Sequence, residues 1–452
     1  MKKKYKVLII SFSVLAVLFG ALTWFYYWGT SFSGDLVWTP TRIPLPAKNL
    51  PALKDDPNSW PAWKGPNADD TSPIENINKD WSNGLPKVWE IAYLCKGPKS
   101  MSWSTPAIKG NRLIVPGRDE QNDILFCLDP ETGHLLWYKK YEAPAAAHNY
   151  GQGHRATPTI DGDSVYTLSR EGLVQCHAIF EGDLVWSYKL TDAGCESPEW
   201  GFSGSPLIYN NMVILHAGGN SLAVSLNKTN GSLIWKSSPG KGSYTSPTIL
   251  QYHDRDYIVI LYSDGVAFID PNNGDFVHHI SLDKDNTEMT CTTPVIKNDH
   301  IFVSALKGSQ SILFQMIDEQ PQIVWRSKAI LAYHTNPFLI DNNIYSYSGM
   351  AMQNSMGKFV CISCDSGNVN WETKDLGIGT TIYADGHFIC LDLKGNLFLV
   401  KPNPEKFELV TEFPAAIPDV KKRVWTKPVI AGDYLYLRHG NRLICYNIKS
   451  ES

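Results

Sequence analysis

The chain has 452 residues, a formal net charge of -4, and 43% hydrophobic residues. A charge this close to neutral, with no stripe of Lys and Arg outside the extreme N-terminus, argues against a nucleic-acid-binding surface. The length exceeds one ordinary hydrophobic core, and 12% aromatic residues with 34 glycines are typical of a turn-rich β protein.

The first predicted element is a membrane-spanning helix. Residues 1–6 contain four lysines, whereas Val7–Trp28 contains no charged residue. That run is long enough to cross a bilayer, and the lysines are expected to stay in the cytoplasm. We therefore predict a cytoplasmic tail (1–6) and an uncleaved signal-anchor (7–28) in the cytoplasmic membrane, with the rest of the chain facing the periplasm or the cell exterior. A cleaved signal peptide is the alternative, although no A-x-A cleavage pattern follows the run.

The next predicted elements connect the membrane anchor to the folded part. Residues 29–58 contain five prolines, which favours an extended tether. Residues 59–83 are expected to pack on the folded domain, which we predict to span residues 84–450.

The folded part is predicted to consist of eight repeats. A phrase such as "STPAIKGNRLIV" recurs with a marker proline, or Thr381 in its place, at intervals of 41 to 52 residues. The markers are Pro106, Pro158, Pro206, Pro247, Pro294, Pro337, Thr381 and Pro428. This spacing is close to that of one four-stranded propeller blade, whereas a β-sandwich would show such a repeat only by accident.

Each repeat reads as four strands. Pairs such as Gly110-Asn111 and Asn342-Asn343 between Val-, Ile- and Tyr-rich runs predict a tight hairpin. After a third strand, an Asp and a turn glycine precede a fourth strand that carries a tryptophan, as in "DPETGHLLWY". The tryptophans are Trp137, Trp186, Trp235, Trp325 and Trp371, and each is expected to pack its blade on a neighbour. In "NNGDFVHH" we place Val277 at the aromatic position.

The last repeat is predicted to borrow its fourth strand from the start of the domain. It contains only three strand-like runs, whereas the lone run "PKVWEIAYL" (Pro86–Leu94) precedes the first repeat. Trp89 in that run matches the tryptophans of the fourth strands. Pairing of residues 86–94 with Arg442–Asn447 would close the ring and remove an exposed edge.

The nine cysteines are not expected to form a disulfide framework. Cys127, Cys176, Cys361 and Cys445 occupy equivalent repeat positions, which lie too far apart to bridge. They are interpreted as small buried core residues. Cys361-x-x-Cys364 could instead be a redox or metal pair, but no second pair accompanies it.

The phrase "CLDPETGHLLWY", together with "WPAWKGP" and "WGFSGSPLI", resembles the tryptophan-docking repeat of pyrroloquinoline-quinone (PQQ)-type β-propellers. The resemblance covers about residues 60–449 and implies an all-β, eight-bladed propeller of PQQ-like four-stranded repeats, preceded by the transmembrane helix. The same superfamily includes quinoprotein alcohol dehydrogenases and a propeller lipoprotein of outer-membrane assembly, so the resemblance is specific for fold and weak for activity.

The resemblance leaves three function classes open. The dehydrogenases hold their quinone above a vicinal disulfide with calcium beside it, and PQQ and calcium are possible cofactors here by resemblance only. No two cysteines are adjacent in this sequence, and no acidic cluster matches the calcium ligands. We therefore favour a non-catalytic binding or assembly scaffold with envelope protein partners. A quinone-dependent dehydrogenase is the main alternative, and a different enzyme, such as a lyase or hydrolase, is the third.

A binding site, if present, is predicted at the mouth of the central channel, because the loops that enter the innermost strands meet there. The segments before the marker prolines supply aromatic and polar side chains suited to a planar or anionic ligand. The alternative is that these groups only cap the channel and bond buried water. The candidates are His154, Arg155, Glu199, Trp200, Tyr244 and His334.

Overall fold

A computed structural model describes residues 41–97, 99–144, 151–282, 291–305, 310–349 and 357–450. Its strands form eight sheets, each with four antiparallel strands, and one sheet gains an additional short parallel strand. The expected eight-bladed, all-β propeller is therefore confirmed. The predicted cytoplasmic tail, the signal-anchor and tether residues 29–40 lie outside the described residues. Among the residues that are described, no helix has the length and apolar character needed to cross a bilayer.

The first four blades follow the chain in order after β1 (Thr71–Ser72) and β2 (Lys87–Ile91). Blade 1 contains β3 (Ala107–Lys109), β4 (Arg112–Arg118), β5 (Asn122–Leu128) and β6 (Leu135–Glu142). Blade 2 contains β7 (Thr159–Asp161), β8 (Ser164–Leu168), β9 (Leu173–Ala178) and β10 (Leu184–Lys189), followed by a 3-10 helix (Leu190–Ala193). Blade 3 contains β11 (Leu207–Tyr209), β12 (Met212–Gly218), β13 (Ser221–Asn227) and β14 (Leu233–Lys236). Blade 4 contains β15 (Thr248–Tyr252), β16 (Arg255–Tyr262), β17 (Gly265–Ile269) and β18 (Phe276–Ser281).

The remaining blades complete the ring. Blade 5 contains β19 (Val295–Lys297), β20 (His300–Ala305), β21 (Gln310–Ile317) and β22 (Gln320–Ser327). Blade 6 contains β23 (Phe338–Ile340), β24 (Asn343–Ser348), β25 (Lys358–Ser363) and β26 (Val369–Thr373). Blade 7 contains β27 (Gly379–Ala384), β28 (His387–Asp392), β29 (Leu397–Val400) and β30 (Leu409–Phe413), with β1 beside β27. Blade 8 contains β31 (Val429–Ala431), β32 (Tyr434–His439) and β33 (Arg442–Asn447), with β2 as its fourth strand.

The ring closes through the pairing that the sequence predicts. β2 runs antiparallel to β33, and Trp89 lies opposite Cys445. The closing strand therefore joins the start of the domain to its last repeat, so blade 8 has the same four-stranded form as the others.

Tryptophans of the fourth strands join most neighbouring blades. Each packs on the turn between the third and fourth strands of the next blade and donates its indole N–H to a carbonyl there. Trp137, for example, donates to the Ile179 carbonyl at 3.1 Å and lies against Gly182 (φ +75°), which leaves no room for a Cβ atom. The other five donor–acceptor pairs are Trp89–Pro130, Trp186–Lys228, Trp235–Pro271, Trp325–Cys364 and Trp371–Asn403.

Two details of the repeats differ from the prediction. His278, not Val277, occupies the tryptophan position in blade 4, because it lies opposite Phe268 just before the same strand irregularity, as Trp137 lies opposite Cys127. Its ring packs 6.1 Å from that of Tyr257. The hairpin of blade 6 turns at residues 341–342, one position earlier than expected, because both of these residues adopt the left-handed conformation.

The segment before the ring crosses one end of it. Ala47, Leu50 and Leu53 pack against the apolar core shared by blades 1 and 2, so the described part of the Pro-rich tether contacts the propeller. Trp60 is fully buried and exchanges two backbone hydrogen bonds with Ile108 in β3.

Candidate functional site

The first strand of each blade is innermost, because the residues that enter these strands bond to one another around the channel. The residue before each marker position is buried and mostly carries a hydroxyl group. In blades 1 to 5 its backbone N–H donates to the side chain of the equivalent residue in the next blade, as Thr157 N–H does to Ser205 Oγ at 3.0 Å. We call this set the inner ring: Thr105, Thr157, Ser205, Ser246, Thr293, Asn336, Thr380 and Lys427.

The pre-ring segment supplies a carboxylate to the inner ring. Asp70 is only 1% exposed and accepts a hydrogen bond from Asn336 Nδ2 at 2.8 Å. It also forms an ion pair with Lys427 Nζ. Asn336 belongs to blade 6 and Lys427 to blade 8, so Asp70 bridges the two sides of blade 7. The buried ammonium and carboxylate neutralise each other, as groups without access to water must.

Two buried lysines flank this carboxylate. Lys427 lies 3.7 Å from the ring centroid of Trp63, a distance suited to a cation–π interaction. Burial lowers the pKa of Lys427 to about 8, although the charge of Asp70 acts in the opposite direction. Burial also lowers the pKa of Lys64. This end of the channel is therefore filled by the protein's own paired groups.

An aromatic stack lies where the chain enters the innermost strands, two residues before the inner ring. The ring of Trp425, from blade 8, lies 4.8 Å from that of Trp103, from blade 1, and 4.6 Å from that of His334, from blade 6. Burial lowers the pKa of His334 to about 3, and the charge of Arg423 adds to this effect, so the imidazole is neutral. Only His334 of this stack was among the sequence candidates.

Four of the six candidates lie near one another at the mouth. The backbone N–H of Trp200 donates to the Tyr244 hydroxyl at 3.3 Å. Burial raises the pKa of Tyr244, and the charges of Glu199 and Arg155 also act on it, so both are within electrostatic range. Glu199 and Tyr244 line a cleft of about 600 Å³ between blades 3 and 4, together with Glu196 and Asp264.

His154 points away from this group. Its Nε2 hydrogen-bonds with the Tyr141 hydroxyl and lies 3.5 Å from Asp123 Oδ2, and Arg118 pairs with the same carboxylate at 2.9 Å. His154 is 2% exposed, and burial lowers its pKa. This polar cluster is closed to solvent, so His154 does not share the mouth with Tyr244.

Sequence reasoning missed the residues that bring the centre of the molecule together. Trp425 stands three residues before marker Pro428, so its segment carried the same signal as those that were considered. A hydroxyl residue before most of the markers was a second available signal, and it would have indicated the inner ring. Asp70 had no such signal, since it lies outside the repeats and 266 residues from Asn336.

Comparison with known proteins identifies the repeat family. A family model described as "Outer membrane protein assembly factor BamB" matches residues 121–373, more than half of the chain. The outer membrane protein assembly factor BamB of Shewanella oneidensis is 24% identical over 159 residues, which cover 35% of this chain and 36% of that protein. The match thus spans about a third of the relative's length.

Two solved structures share the fold. BamB from Moraxella catarrhalis superposes with a TM-score of 0.57 at 16% identity, covering 81% of this chain and 99% of that one. The quinohemoprotein alcohol dehydrogenase ADHIIG from Pseudomonas putida HK5 superposes with a TM-score of 0.61 at 12% identity, covering 88% and 81%. At these identities the superpositions show a common PQQ-like propeller and nothing about activity.

Two features of the dehydrogenases, the metal ligands and the vicinal disulfide, are not found among the described residues. Within the described ranges, no group of three or more His, Cys, Asp or Glu side chains is arranged to hold a metal ion. All nine cysteines are free thiols and eight of them are buried, so none forms the vicinal disulfide that the resemblance implies.

Proposed function

We propose, because the chain belongs to the protein family described as outer membrane protein assembly factor BamB, that it is a membrane-anchored scaffold of the cell envelope. In this proposal the propeller faces the periplasm or the cell exterior and binds other envelope proteins rather than catalysing a reaction. The name of the Shewanella relative, an assembly factor, supports this choice between the candidate functions.

The observation that carries the proposal is the position of the exposed apolar surface. Most of it lies on the fourth strands, at the perimeter of the ring, where adjacent apolar residues face solvent. In blade 2, Leu184 is 54% and Val185 55% exposed. Blades 3, 5 and 7 repeat the pattern with Leu233-Ile234, Ile323-Val324 and Leu409-Val410.

These strands are suited to binding an extended peptide. A sheet edge offers unpaired backbone N–H and C=O groups, and apolar side chains beside it can cover those of an added strand. The partner expected from this surface is an envelope protein that presents an extended apolar segment. The interior of the ring offers less surface, because the inner-ring residues bond among themselves and the aromatic rings stack on one another.

The test is site-specific photo-crosslinking in cells that carry the full-length chain. A photoreactive residue replacing Val185 or Ile234 should form an adduct with an envelope protein, which mass spectrometry then identifies. A photoreactive residue at Ile323 in blade 5 should form the same kind of adduct, and Val324→Asp beside it should remove that adduct. Asp264, exposed at the mouth, is the control position. Adducts from the mouth alone, or a partner that is not an envelope protein, would contradict the scaffold proposal.

The orientation has a separate test. A reporter enzyme that works only after export, fused after Ser452, should be active, because the N-terminal lysines are expected to stay in the cytoplasm. Activity from a cytoplasmic reporter alone would contradict the predicted anchor and the envelope location together.

A quinone dehydrogenase is the second candidate, favoured by the cluster of Arg155, Trp200 and Tyr244 at the mouth. The purified chain, incubated with PQQ and calcium, is expected to show no alcohol-dependent reduction of an artificial electron acceptor. A dehydrogenase needs a metal to polarise the quinone and a carboxylate to take the proton. Glu196, Glu199 and Asp264 line the cleft, but among the described residues no group of three or more His, Cys, Asp or Glu side chains is arranged to hold a metal ion. Turnover that disappeared in Glu199→Gln would favour the dehydrogenase.

A further inference from the structure

The chain contains an internal example of an extended segment docked on the ring. Ala47, Leu50 and Leu53 pack on the apolar core shared by blades 1 and 2. These three residues are half-buried, whereas the residues between them are exposed. A period of three residues is that of a polyproline II segment, which has no internal hydrogen bonds and leaves its backbone groups to other partners.

Asn111, at the turn between β3 and β4, holds the backbone of this segment. Its Nδ2 donates to the Ala52 carbonyl at 2.8 Å, and its Oδ1 accepts from the Lys54 N–H at 3.1 Å. An amide side chain can make both bonds because it has donors as well as an acceptor, whereas an ionised carboxylate only accepts. The neighbouring Arg112 adds a bond to the Pro51 carbonyl at 2.7 Å.

Blade 1, which carries this segment, differs from the other blades in the exposure of its rim. Leu135 and Leu136, the two residues before Trp137, are each 4% exposed. The equivalent apolar pairs of blades 2, 3, 5 and 7 are 38% to 55% exposed. The Leu135 carbonyl also accepts from the Ala47 N–H at 3.0 Å. One ring therefore contains a covered rim and several open ones.

Blade 3 repeats the docking features of blade 1. Asn211 occupies the turn position of Asn111, and it is exposed. The only hydrogen bond that its side chain makes among the described residues comes from Thr229 Oγ1 at 3.5 Å. In the other blades with an exposed apolar pair, the same turn position holds Asp163, Asp299 or Gly386. Blade 3 is therefore the open blade that offers an amide to a peptide backbone.

The apolar floor beside Asn211 is open as well. Leu207 in blade 3 and Ile249 in blade 4 are half-buried. Their equivalents beneath the docked segment, Ala107 and Ile160, are 0% and 5% exposed. With Ile234 of the rim, Leu207, Asn211 and Ile249 define a surface that we call the blade-3 groove. Apolar side chains beside a hydrogen-bonding amide suit an extended apolar peptide.

We propose that the blade-3 groove binds an extended segment of an envelope protein, with an apolar residue at every third position and its backbone held by Asn211. The proposal rests on the scaffold function and adds to it the site and the kind of segment that binds. Met212 stands where blade 1 has Arg112, so one bond of the internal example is missing. Binding is therefore expected to be reversible.

A fluorescent peptide that copies residues 43–55 tests the groove on the purified full-length chain in detergent. The chain's own segment keeps blade 1 occupied, because its effective concentration exceeds that of the added peptide. Fluorescence anisotropy should show binding, and Asn211→Ala should weaken it at least about tenfold, because two hydrogen bonds are lost. Ile234→Asp should abolish it, and so should Leu50→Ser with Leu53→Ser in the peptide.

Asn342→Ala is the matched control. Asn342 occupies the same turn position in blade 6, where the rim pair is Val369-Asn370 and therefore only half apolar. This variant should bind the peptide as the natural chain does. No binding to the natural chain, or equal binding by the natural chain and Asn211→Ala, would overturn the proposal.

Photo-crosslinking in cells separates this inference from the scaffold function on which it rests. The adduct from position 234 should disappear in Asn211→Ala, whereas the adduct from position 185 in blade 2 should persist. An adduct at position 234 that Asn211→Ala leaves intact would overturn the blade-3 groove and leave the scaffold function standing. An adduct with a second copy of this chain would overturn the assignment to a different protein. The absence of adducts from every rim position would contradict the scaffold function itself.

Discussion

Replacing Asp70 by alanine is expected to lower the free energy of unfolding by about 3 to 5 kcal/mol. Asp70 is 1% and Lys427 4% exposed, so the change leaves a buried ammonium group with no opposite charge, and breaking a buried pair from one side costs this much. It also removes the acceptor that holds Asn336 Nδ2. For a ring of this length the melting temperature should fall by about 4 to 6 °C, measured by differential scanning calorimetry of the full chain in detergent.

The double variant separates a specific pair from general damage to the channel. Lys427→Met alone should also destabilise the ring, because it leaves the Asp70 carboxylate buried without its cation. Asp70→Ala combined with Lys427→Met should cost less than the sum of the two single changes, since neither charge is then left unpaired. Additive losses would refute the reasoning.

The pH dependence of the free energy of unfolding is a second test of the Asp70–Lys427 pair. The pKa of Lys427 is lowered to about 8 in the folded chain, so between pH 8 and its ordinary value of 10.5 the unfolded chain binds more protons, and stability rises with pH. Removing Asp70 takes away the charge that supports the ammonium form, so the rise should begin below pH 8 in Asp70→Ala. An unchanged pH profile in this variant would also contradict the proposed pair.

Three further predictions follow from the blades. Gly182→Ala should lower the stability more than Gly162→Ala. Both glycines are left-handed, but a Cβ at position 182 would meet the Trp137 ring at 2.6 Å, whereas nothing lies within 4 Å of a Cβ at position 162. Equal melting temperatures of the two variants would contradict the packing role of the tryptophans. Burial lowers the pKa of His216 to about 4, so the neutral imidazole contributes stability that is present above pH 6.5 and is lost as the pH falls towards 4. The loss in the free energy of unfolding should be about 3 kcal/mol at most. His216→Gln should reduce this acid sensitivity in thermal denaturation. Deleting residues 1–94 should destabilise the whole ring because β2 is lost, whereas deleting residues 1–29 should leave the melting temperature unchanged and only release the chain from membranes.

The sequence by itself determined the repeat, the number of blades and the strand that closes the ring. These features depend on local patterns: alternating apolar residues form strands, left-handed turn residues form hairpins, and a tryptophan four residues after a turn glycine packs on the next blade. Trp89 could be assigned to blade 8 from the sequence because it carries the same local pattern as Trp137. The assignment of Val277 was wrong by one residue, although the same local pattern gives the right one: the residue four positions after Gly274 is His278, which lies opposite Phe268.

Only the tertiary structure decided which residues meet around the channel. Asp70 contacts Asn336 and Lys427 across 266 and 357 residues, and Trp425 stacks on Trp103 only because the ring returns to its start. Loops from equivalent places in the repeats enter the same end of the channel, but the direction of each side chain depends on the space its neighbours leave. For that reason His154 and Arg155 are adjacent in sequence yet lie in different environments, one in a closed polar cluster and the other near Tyr244. Local patterns specify the blades, whereas contacts between distant loops exist only once all eight blades have closed the ring.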